Sequence, residues 1–242
     1  MPNGLTTEQL NELRKYDTPT ICNVIEVFDV QARNVGYMNQ SISACFPEMP
    51  PMVGYASTAT WRADSPPLDG REYGSIDAQI DSFSEIPGPP VVVFQDLDEP
   101  TAAASFGEVM CTTYKTFGAV GLVTGGAARD LDQVRALGFP TFSNGVNPSH
   151  GYGHIVDVMI PVHVGGIAVK PGDLLHGDCN GVTTIPNEIA SELVDICSEF
   201  VAAEEIVLNH LNSEAPSVKG FAEARKEYKA VVDKLIERVR PQ

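Results

Sequence analysis

The segment between residues 107 and 130 carries the residue types best suited to chemistry. Gly125-Gly126 is followed closely by Arg129-Asp130, and a glycine pair lets the backbone approach a ligand closely. An arginine fork can hold a carboxylate or a developing enolate oxygen, and an aspartate can hold a hard cation directly or through water. These residues therefore predict a site for a small anionic substrate and a divalent cation.

The same residues, Gly125-Gly126 and Arg129-Asp130, also fit a glycine-rich turn that binds no ligand. An aspartate immediately before a helix is a common N-cap, and Arg129 next to it can form an ion pair with Asp130. A ligand site and a charged turn that caps the following helix both stay open at this point.

A second candidate feature is a helix start just upstream. Ser105 and Glu108 have the Ser-x-x-Glu spacing of a capping box, in which each side chain bonds to the other residue's backbone amide. Alternatively, the amides of Glu108, Val109 and Met110 bind an anion, and Gly107 leaves room for it. A small carboxylate fits such a helix start better than a bulky phosphate.

The histidines and the common motifs give weaker indications. His150 and His154 have an i, i+4 spacing, but Pro148 and two glycines argue against a metal-binding helix there. We expect His163 and His176 to be hydrogen-bonded structural residues. The sequence has no GxSxG elbow, Walker loop or GxGxxG fingerprint, which disfavours the commonest hydrolases, phosphotransferases and dinucleotide enzymes.

The elements that must position these residues alternate between helix and strand, which is typical of an α/β fold. In such sheets ligands sit at the carboxyl ends of the strands. The pattern predicts strands at 53–61, 91–95, 119–123 and 141–144, hairpins within 157–186, a loop at 62–73, and helices at 6–16, 20–29, 74–86, 105–117, 130–137, from Asn187 onward, and after Pro216 to about 239.

Charge and cysteine usage limit the functional classes. The 242 residues include 32 acidic against 16 basic side chains, a formal charge of −16, which repels phosphate backbones and anionic lipid. We therefore expect neither a nucleic-acid partner nor a membrane surface. Five scattered cysteines without a CxxC indicate reduced thiols, and the polar amino end predicts a cytoplasmic protein.

Read together, these motifs resemble one known family, the RraA-like proteins, which include 4-hydroxy-4-methyl-2-oxoglutarate aldolases and regulators of ribonuclease E activity. The resemblance covers roughly residues 10–210. It rests on residues 16–20, 54–58, Gly107-Glu108-Val109-Met110, Gly118, Gly121, Gly125-Gly126, Arg129-Asp130, 154–157, 161–173 and 174–186.

The resemblance implies an architecture as well. It is a layered αββα-like core with a swivelling β/β/α-type unit and helical extensions at both ends. We expect a single domain over residues 1–242, with a carboxyl-terminal helical extension at about 187–242. The family resemblance also implies a homotrimer or homohexamer with active sites between subunits.

The resemblance further implies a metal-dependent lyase acting on 2-oxo acids. Retro-aldol cleavage or oxaloacetate decarboxylation would yield pyruvate with Mg²⁺ or Mn²⁺. Arg129 and Asp130 would be catalytic, and the pyruvyl carboxylate would rest on residues 107–110. Asp130 would hold the cation, with Glu108, Glu204 or Glu205 contributing through water.

Two departures from the family pattern concern the substrate. Thr124 and Asn180 stand where many aldolases have aspartates, which leaves the reaction class intact but changes the surroundings of the site. Two alternatives stay open: a non-catalytic regulator that binds a ribonuclease or another protein, and a different lyase on the same scaffold.

Overall fold

The computed structural model describes residues 4–68 and 76–240. Its strands are β1 Ser43–Ala44, β2 Met52–Arg62, β3 Pro90–Asp96, β4 Ala104–Phe106, β5 Gly121–Thr124, β6 Ala127–Ala128, β7 Thr141–Ser143, β8 His154–Val158, β9 Val162–Val164, β10 Ile167–Val169, β11 Leu174–Asp178 and β12 Gly181–Ile185. Its helices are α1 Thr7–Leu13, α2 Thr18–Phe28, α3 Ile76–Asp81, α4 Glu108–Thr116, α5 Leu131–Ala136, α6 Ala190–Leu211 and α7 Val218–Val239.

The main sheet has eight strands in the order β1-β7-β5-β3-β2-β11-β12, and β8 also pairs with β2. The centre, β2-β3-β5-β7, is parallel. Parallel strands are covered on both faces and read as continuous apolar runs, which is why Val91-Val92-Val93-Phe94 is completely buried. This confirms the α/β prediction and the predicted strand at 91–95.

The longest strand, β2, changes partner along its length. Its first residues pair antiparallel with β11, and its last residues pair antiparallel with β8 after a bulge between Ala59 and Trp61. All of β2 is buried except Arg62. Trp61 at its carboxyl end is thereby fixed in the core against Phe94, with ring centroids 5.6 Å apart.

A short parallel sheet of β4 and β6 replaces part of a predicted helix. Ser105 lies in β4, so the helix predicted at 105–117 begins only at Glu108, with Gly107 as its N-cap. The predicted capping box is wrong, because Gly107 has no side chain to accept a bond. The Ser105 hydroxyl instead bonds to Thr124, with the two oxygens 2.7 Å apart.

The predicted helical extensions are confirmed at both ends of the chain. Helices α1 and α2 pack on α6, and α6 packs against α7. Asn187 does not cap α6. Its side-chain amide nitrogen, Nδ2, donates to the Gly172 carbonyl at 3.1 Å, and Ile189 occupies the N-cap position. Within residues 4–68 and 76–240, no helix is long and apolar enough to cross a membrane.

The region around the predicted loop and third helix is only partly described. Arg62 belongs to β2, and 69–73 of the predicted loop lie outside the described residues. Of the helix predicted at 74–86, the structure describes α3 followed by a 3₁₀ turn, Ser82–Glu85.

Candidate functional site

The short β4–β6 sheet brings the predicted site residues together. Its parallel pairing sets the carboxyl ends of the two strands side by side, so Gly107 after β4 meets Arg129 after β6. The Arg129 amide donates to the Phe106 carbonyl at 3.2 Å, which locks the two chain segments. Two segments that are distant in sequence therefore form one polar corner.

Asp130 adopts an unusual backbone conformation at this corner. Its φ of 55° lies in the left-handed region, which aspartate tolerates better than most residues other than glycine. Strained backbone of this kind clusters at functional sites. The conformation turns the carboxylate away from α5 and toward the start of α4.

The Asp130 side chain consequently caps a different helix from the one expected. It makes no capping bond to α5. Its Oδ2 atom accepts from the Glu108 amide at 3.0 Å and lies 3.7 Å from Arg129 Nε. The alternative prediction, a charged turn that caps the following helix, is therefore wrong about the cap. Its other part, the Arg129–Asp130 ion pair, is present.

This bond also corrects the expectation of three unpaired amides at the helix start. The Glu108 amide is taken by Asp130 because a carboxylate is stabilised at the positive end of a helix. The backbone amides of Val109 and Met110 donate no hydrogen bond to an acceptor in the described part of the chain. The anion site predicted at this helix start is therefore reduced to two amides.

Gly107 is required by the packing of the two charged residues. A Cβ atom at this position would lie 2.4 Å from Asp130 Oδ2 and 2.9 Å from Arg129 Nε. Neither distance is compatible with van der Waals contact, so any larger residue displaces the ion pair.

Of the Gly125-Gly126 pair, Gly126 packs closely against other residues of the chain. A Cβ on Gly126 would lie 2.6 Å from Ser105 Oγ and 2.7 Å from Asp96 Oδ2. Thr124, one of the two departures from the family pattern, is buried, and its hydroxyl accepts from the Gly126 amide at 2.9 Å. Gly126 is thus required by tight packing inside the chain, whereas a Cβ on Gly125 would meet its nearest neighbour only at 3.7 Å. The predicted approach of this glycine pair to a ligand stays a prediction.

Asp96 is a buried carboxylate that sequence reasoning missed. Its Oδ1 accepts from the Asp98 amide at 3.0 Å, while Oδ2 is buried without a hydrogen-bond partner among the described residues. Burial raises the pKa of the Asp96 carboxyl. The available signal was an acidic residue at the carboxyl end of the apolar strand at 91–95.

A cavity of about 420 Å³ opens beside Arg129. Its walls are mainly apolar, with Trp61, Phe106 and Met110 among them, and His150 at its border. Sequence reasoning did not place Trp61 or His150 here. The lining residues are Trp61, Ile76, Ala104, Phe106, Gly107, Val109, Met110, Thr113, Arg129 and His150.

The residues at this corner fit a divalent cation only if water and substrate supply most of its ligands. Within 4–68 and 76–240 no cluster of three or more His, Cys, Asp or Glu could enclose a metal. Asp130 keeps 37% of its side chain exposed, and Oδ1 makes no bond to described residues. Mg²⁺ retains several waters and binds through one or two carboxylates plus substrate oxygens. Such a water-rich site fits Asp130.

The other predicted metal residues, Glu108, Glu204 and Glu205, make no bond to Asp130 through their side chains. Glu108 has an exposed side chain at the start of α4. Glu204 on α6 lies near Asn23 and Asp17, and burial, followed by the charge of Asp17, raises the pKa of Glu204. Glu205 is exposed on the same helix. A contribution from Glu204 or Glu205 would have to reach a neighbouring subunit.

His176 belongs to a separate, buried polar cluster and has the predicted structural role. Its Nε2 donates to the Leu13 carbonyl at 3.2 Å, so Nδ1 accepts from the Thr18 hydroxyl at 3.0 Å. Burial lowers the pKa of His176. Asp178 Oδ2 accepts from the Thr18 amide at 2.9 Å, and Asp178 Oδ1 accepts from the Asn180 amide at 2.8 Å. Asn180, the second departure, thus serves the β11–β12 turn.

Within the described residues, none of the remaining histidines belongs to a group of three or more potential metal ligands. His163 lies in β9 with an exposed side chain, and its backbone amide donates to Gln95 Oε1 at 2.8 Å. His154 lies in β8, and its Nδ1 is 2.8 Å from the Tyr152 carbonyl. The i, i+4 spacing with His150 falls outside any helix, as the glycines predicted.

The sequence of this chain matches a known family. The RraA-like family model, described as Aldolase/RraA, matches residues 18–184. The chain belongs to this family. A relative from Halalkalibacterium halodurans, named "Putative 4-hydroxy-4-methyl-2-oxoglutarate aldolase", is 29% identical over 145 residues, which cover 58% of this chain and 67% of the relative.

Two solved structures share the fold of this chain. An uncharacterized protein from Pseudomonas syringae pv. tomato superposes with a TM-score of 0.71 at 22% identity, covering 93% of this chain and 96% of that one. Streptomyces coelicolor RraAS2, described as an unusual member of the RNase ES inhibitor RraA protein family, gives a TM-score of 0.67 at 23% identity, covering 84% and 96%. The α/β architecture is therefore that of the RraA-like family.

Proposed function

We propose that this chain is a divalent-metal-dependent lyase that cleaves C–C bonds of 2-oxo acids and releases pyruvate. The reaction is retro-aldol cleavage of 4-hydroxy-2-oxo acids, decarboxylation of oxaloacetate, or both. One observation carries the proposal: Arg129 and Asp130 are held together at the start of α4, beside two open amides and a cavity.

The amides of Val109 and Met110 bind the substrate carboxylate in this proposal. They belong to the first turn of α4, where the helix dipole favours an anion. Asp130 already occupies the neighbouring Glu108 amide. Two carboxylates at one helix start repel each other, so positive charge from Arg129 and from a bound cation would favour binding of the substrate.

Arg129 stabilises the enolate oxygen that develops when the C–C bond breaks. Its side chain is 30% exposed and lines the cavity, so it is both fixed and accessible. The paired Asp130 orients the guanidinium, and Gly107 leaves space for both. A preorganised donor of this kind contributes about 2.7–4 kcal/mol to a transition state.

Asp130 is the residue that would hold the cation, Mg²⁺ or Mn²⁺. When bound, such a cation supplies Lewis-acid polarisation of the 2-oxo group. Glu108, and Glu204 or Glu205 from a neighbouring subunit, would bind its waters. We propose a homotrimer or homohexamer with active sites between subunits, as the family resemblance implies.

A panel of 2-oxo acids with Mg²⁺ or Mn²⁺, read by coupled pyruvate detection, tests the proposal. We expect pyruvate from at least one of oxaloacetate and the 4-hydroxy-2-oxo acids, and about a 100- to 1000-fold lower kcat in Arg129→Ala. The matched control is Arg135→Ala, because Arg135 pairs with Glu48 and Asp132 on the exposed face of α5. Absence of pyruvate from every substrate contradicts the proposal.

One observation favours a second candidate, a regulator that binds a ribonuclease or another basic protein: the formal charge of −16. Such binding relies on surface charge and is weakened by salt. It does not need the Arg129–Asp130 corner. Salt-sensitive capture of a purified ribonuclease, unchanged in Arg129→Ala, would favour this candidate over the lyase.

A further inference from the structure

The cavity beside Arg129 is larger than the reacting group needs. Its volume of about 420 Å³ lies within the range of sites for drug-sized ligands. In the proposed reaction the pyruvyl group occupies only the corner formed by Arg129 and the α4 amides. The rest of the cavity is left for the part of the substrate attached at C4.

The cavity walls beyond Arg129 are mainly apolar, and their large side chains are firmly packed. Trp61 and Phe106 are each 1% exposed and Met110 is 8% exposed. Trp61 packs against Phe94, which in turn packs against Tyr114 with centroids 6.3 Å apart. A wall of this kind keeps its shape, so it selects a substituent by fit and by polarity.

Charge is the second determinant of the occupant. Among the described residues that line the cavity, Arg129 is the single lysine or arginine, and the proposed chemistry already uses it at the enolate. Thr113 and His150 are the other polar side chains in the lining. A second carboxylate on the substrate would therefore be transferred from water to a mainly apolar wall without a further lysine or arginine partner, which is unfavourable.

We propose that the substrate is a 4-hydroxy-2-oxo acid whose C4 substituent is apolar, aliphatic or aromatic. This inference rests on the proposed lyase function and specifies its substrate class. The 4-hydroxy-4-methyl-2-oxoglutarate in the name of the Halalkalibacterium halodurans relative is by contrast a dicarboxylate.

The reaction balances without a further reactant. The C3–C4 bond breaks, and its electron pair passes to the pyruvyl enolate. The C4 hydroxyl loses its proton as it becomes an aldehyde, and C3 of the enolate takes up a proton. The products are pyruvate and an apolar aldehyde.

Thr113 offers a position at which the selectivity can be reversed. It lines the cavity one helical turn after Val109, and its hydroxyl donates to the Val109 carbonyl at 2.8 Å. Thr116 is a matched control on the same helix. Its hydroxyl donates to the Thr112 carbonyl at 2.8 Å, and it is exposed away from the cavity.

The test compares two substrates of similar shape on the metal-loaded protein: 4-hydroxy-5-methyl-2-oxohexanoate, with an isopropyl group at C4, and 4-hydroxy-2-oxoglutarate, with a carboxylate there. We expect kcat/KM to favour the isopropyl substrate about tenfold or more. Thr113→Arg should shift the ratio toward the dicarboxylate by about tenfold, while Thr116→Arg leaves it within about twofold.

A second measurement does not depend on any variant. Non-cleavable 4-methyl-2-oxopentanoate should inhibit pyruvate release at about a tenfold lower concentration than 2-oxoglutarate. Equal or better cleavage of the dicarboxylate, or tighter inhibition by 2-oxoglutarate, overturns the inference while the lyase proposal stands. If neither these substrates nor oxaloacetate yields pyruvate, the lyase proposal and the inference fall together.

Discussion

Two polar clusters of this molecule are built on opposite principles. The hairpin cluster, Thr18, His176 and Asp178, is buried, and its polar atoms bond to one another or to nearby backbone. The cavity cluster, Gly107, Arg129 and Asp130, keeps its charged side chains 30–37% exposed and includes a left-handed aspartate.

The difference teaches how to separate structural from functional polar groups. In the hairpin cluster the Thr18 hydroxyl and the His176 ring use their hydrogen-bonding capacity inside the chain. In the cavity cluster, Asp130 retains a carboxylate oxygen and α4 retains two amides without partners among the described residues. Unused capacity in a strained, preorganised corner is what binding and catalysis require.

The largest effect is expected from removal of the Asp130 charge. Asp130→Asn preserves the left-handed backbone, since asparagine tolerates it, but it removes the proposed cation ligand. We expect metal-dependent pyruvate release to fall about 100- to 1000-fold, with a melting temperature close to that of the unmodified chain. Asp132→Asn, at a 92% exposed position on α5, is the control. Equal activity in both variants would mean that the cavity cluster is structural.

A steric change should have a smaller effect on the same cluster. Gly107→Ala introduces a Cβ atom 2.4 Å from Asp130 Oδ2, which forces the ion pair to move, and we expect kcat/KM to fall about 10- to 100-fold. Gly125→Ala is the control, because its Cβ would meet its nearest neighbour, the Asp96 amide nitrogen, at 3.7 Å. Steady-state kinetics on the two variants decides whether this geometry matters.

The hairpin cluster should respond in the opposite way. Asp178→Ala leaves the buried Thr18 amide without its acceptor, which we expect to lower the free energy of unfolding by about 1–3 kcal/mol. Because the cluster is separate from the cavity, kcat/KM for 2-oxo acid cleavage should stay unchanged. Urea unfolding combined with kinetics measures both. A catalytic defect at full stability would abolish the distinction between the clusters.

The smallest expected effect is a pH dependence of stability from His176. Burial lowers the pKa of His176 in the folded chain, so the folded state favours the neutral ring. The unfolded chain takes up a proton first as the pH falls through about 6.5, and stability is lost from there downward. Urea unfolding at pH 7.5 and 5.5 should show this loss, and His176→Gln should reduce it. An unchanged pH dependence in that variant would assign the loss to other groups.

The order of elements was largely predictable because periodicity and turn residues act locally. The error at Ser105 has a physical cause. Its sequence spacing suits a capping box, but the hydroxyl bonds to Thr124 on another segment, which draws Ser105 into β4. The same holds for Asn187, which bonds to the Gly172 carbonyl across the fold. Long-range partners overrode the local signal at both positions.

The candidate site was predictable only where its residues are close in sequence. Arg129 and Asp130 are adjacent, and family resemblance identified them together with Glu108. Trp61 and His150 reach the cavity from β2 and from the segment before β8, so no spacing indicates them. The Asp130–Glu108 bond depends on a left-handed backbone angle, which a sequence pattern does not specify.

Strand β2 connects the two clusters physically. Val53 near its start pairs with His176 on β11, and Trp61 at its end forms a wall of the cavity. Every residue of β2 has a ladder partner on at least one side, and Tyr55, Ala59 and Trp61 have partners on both sides. We therefore expect the β2 amides to exchange with deuterium only during global unfolding. Fluctuations that admit a ligand at the cavity end of β2 then need not loosen the end next to the hairpin cluster.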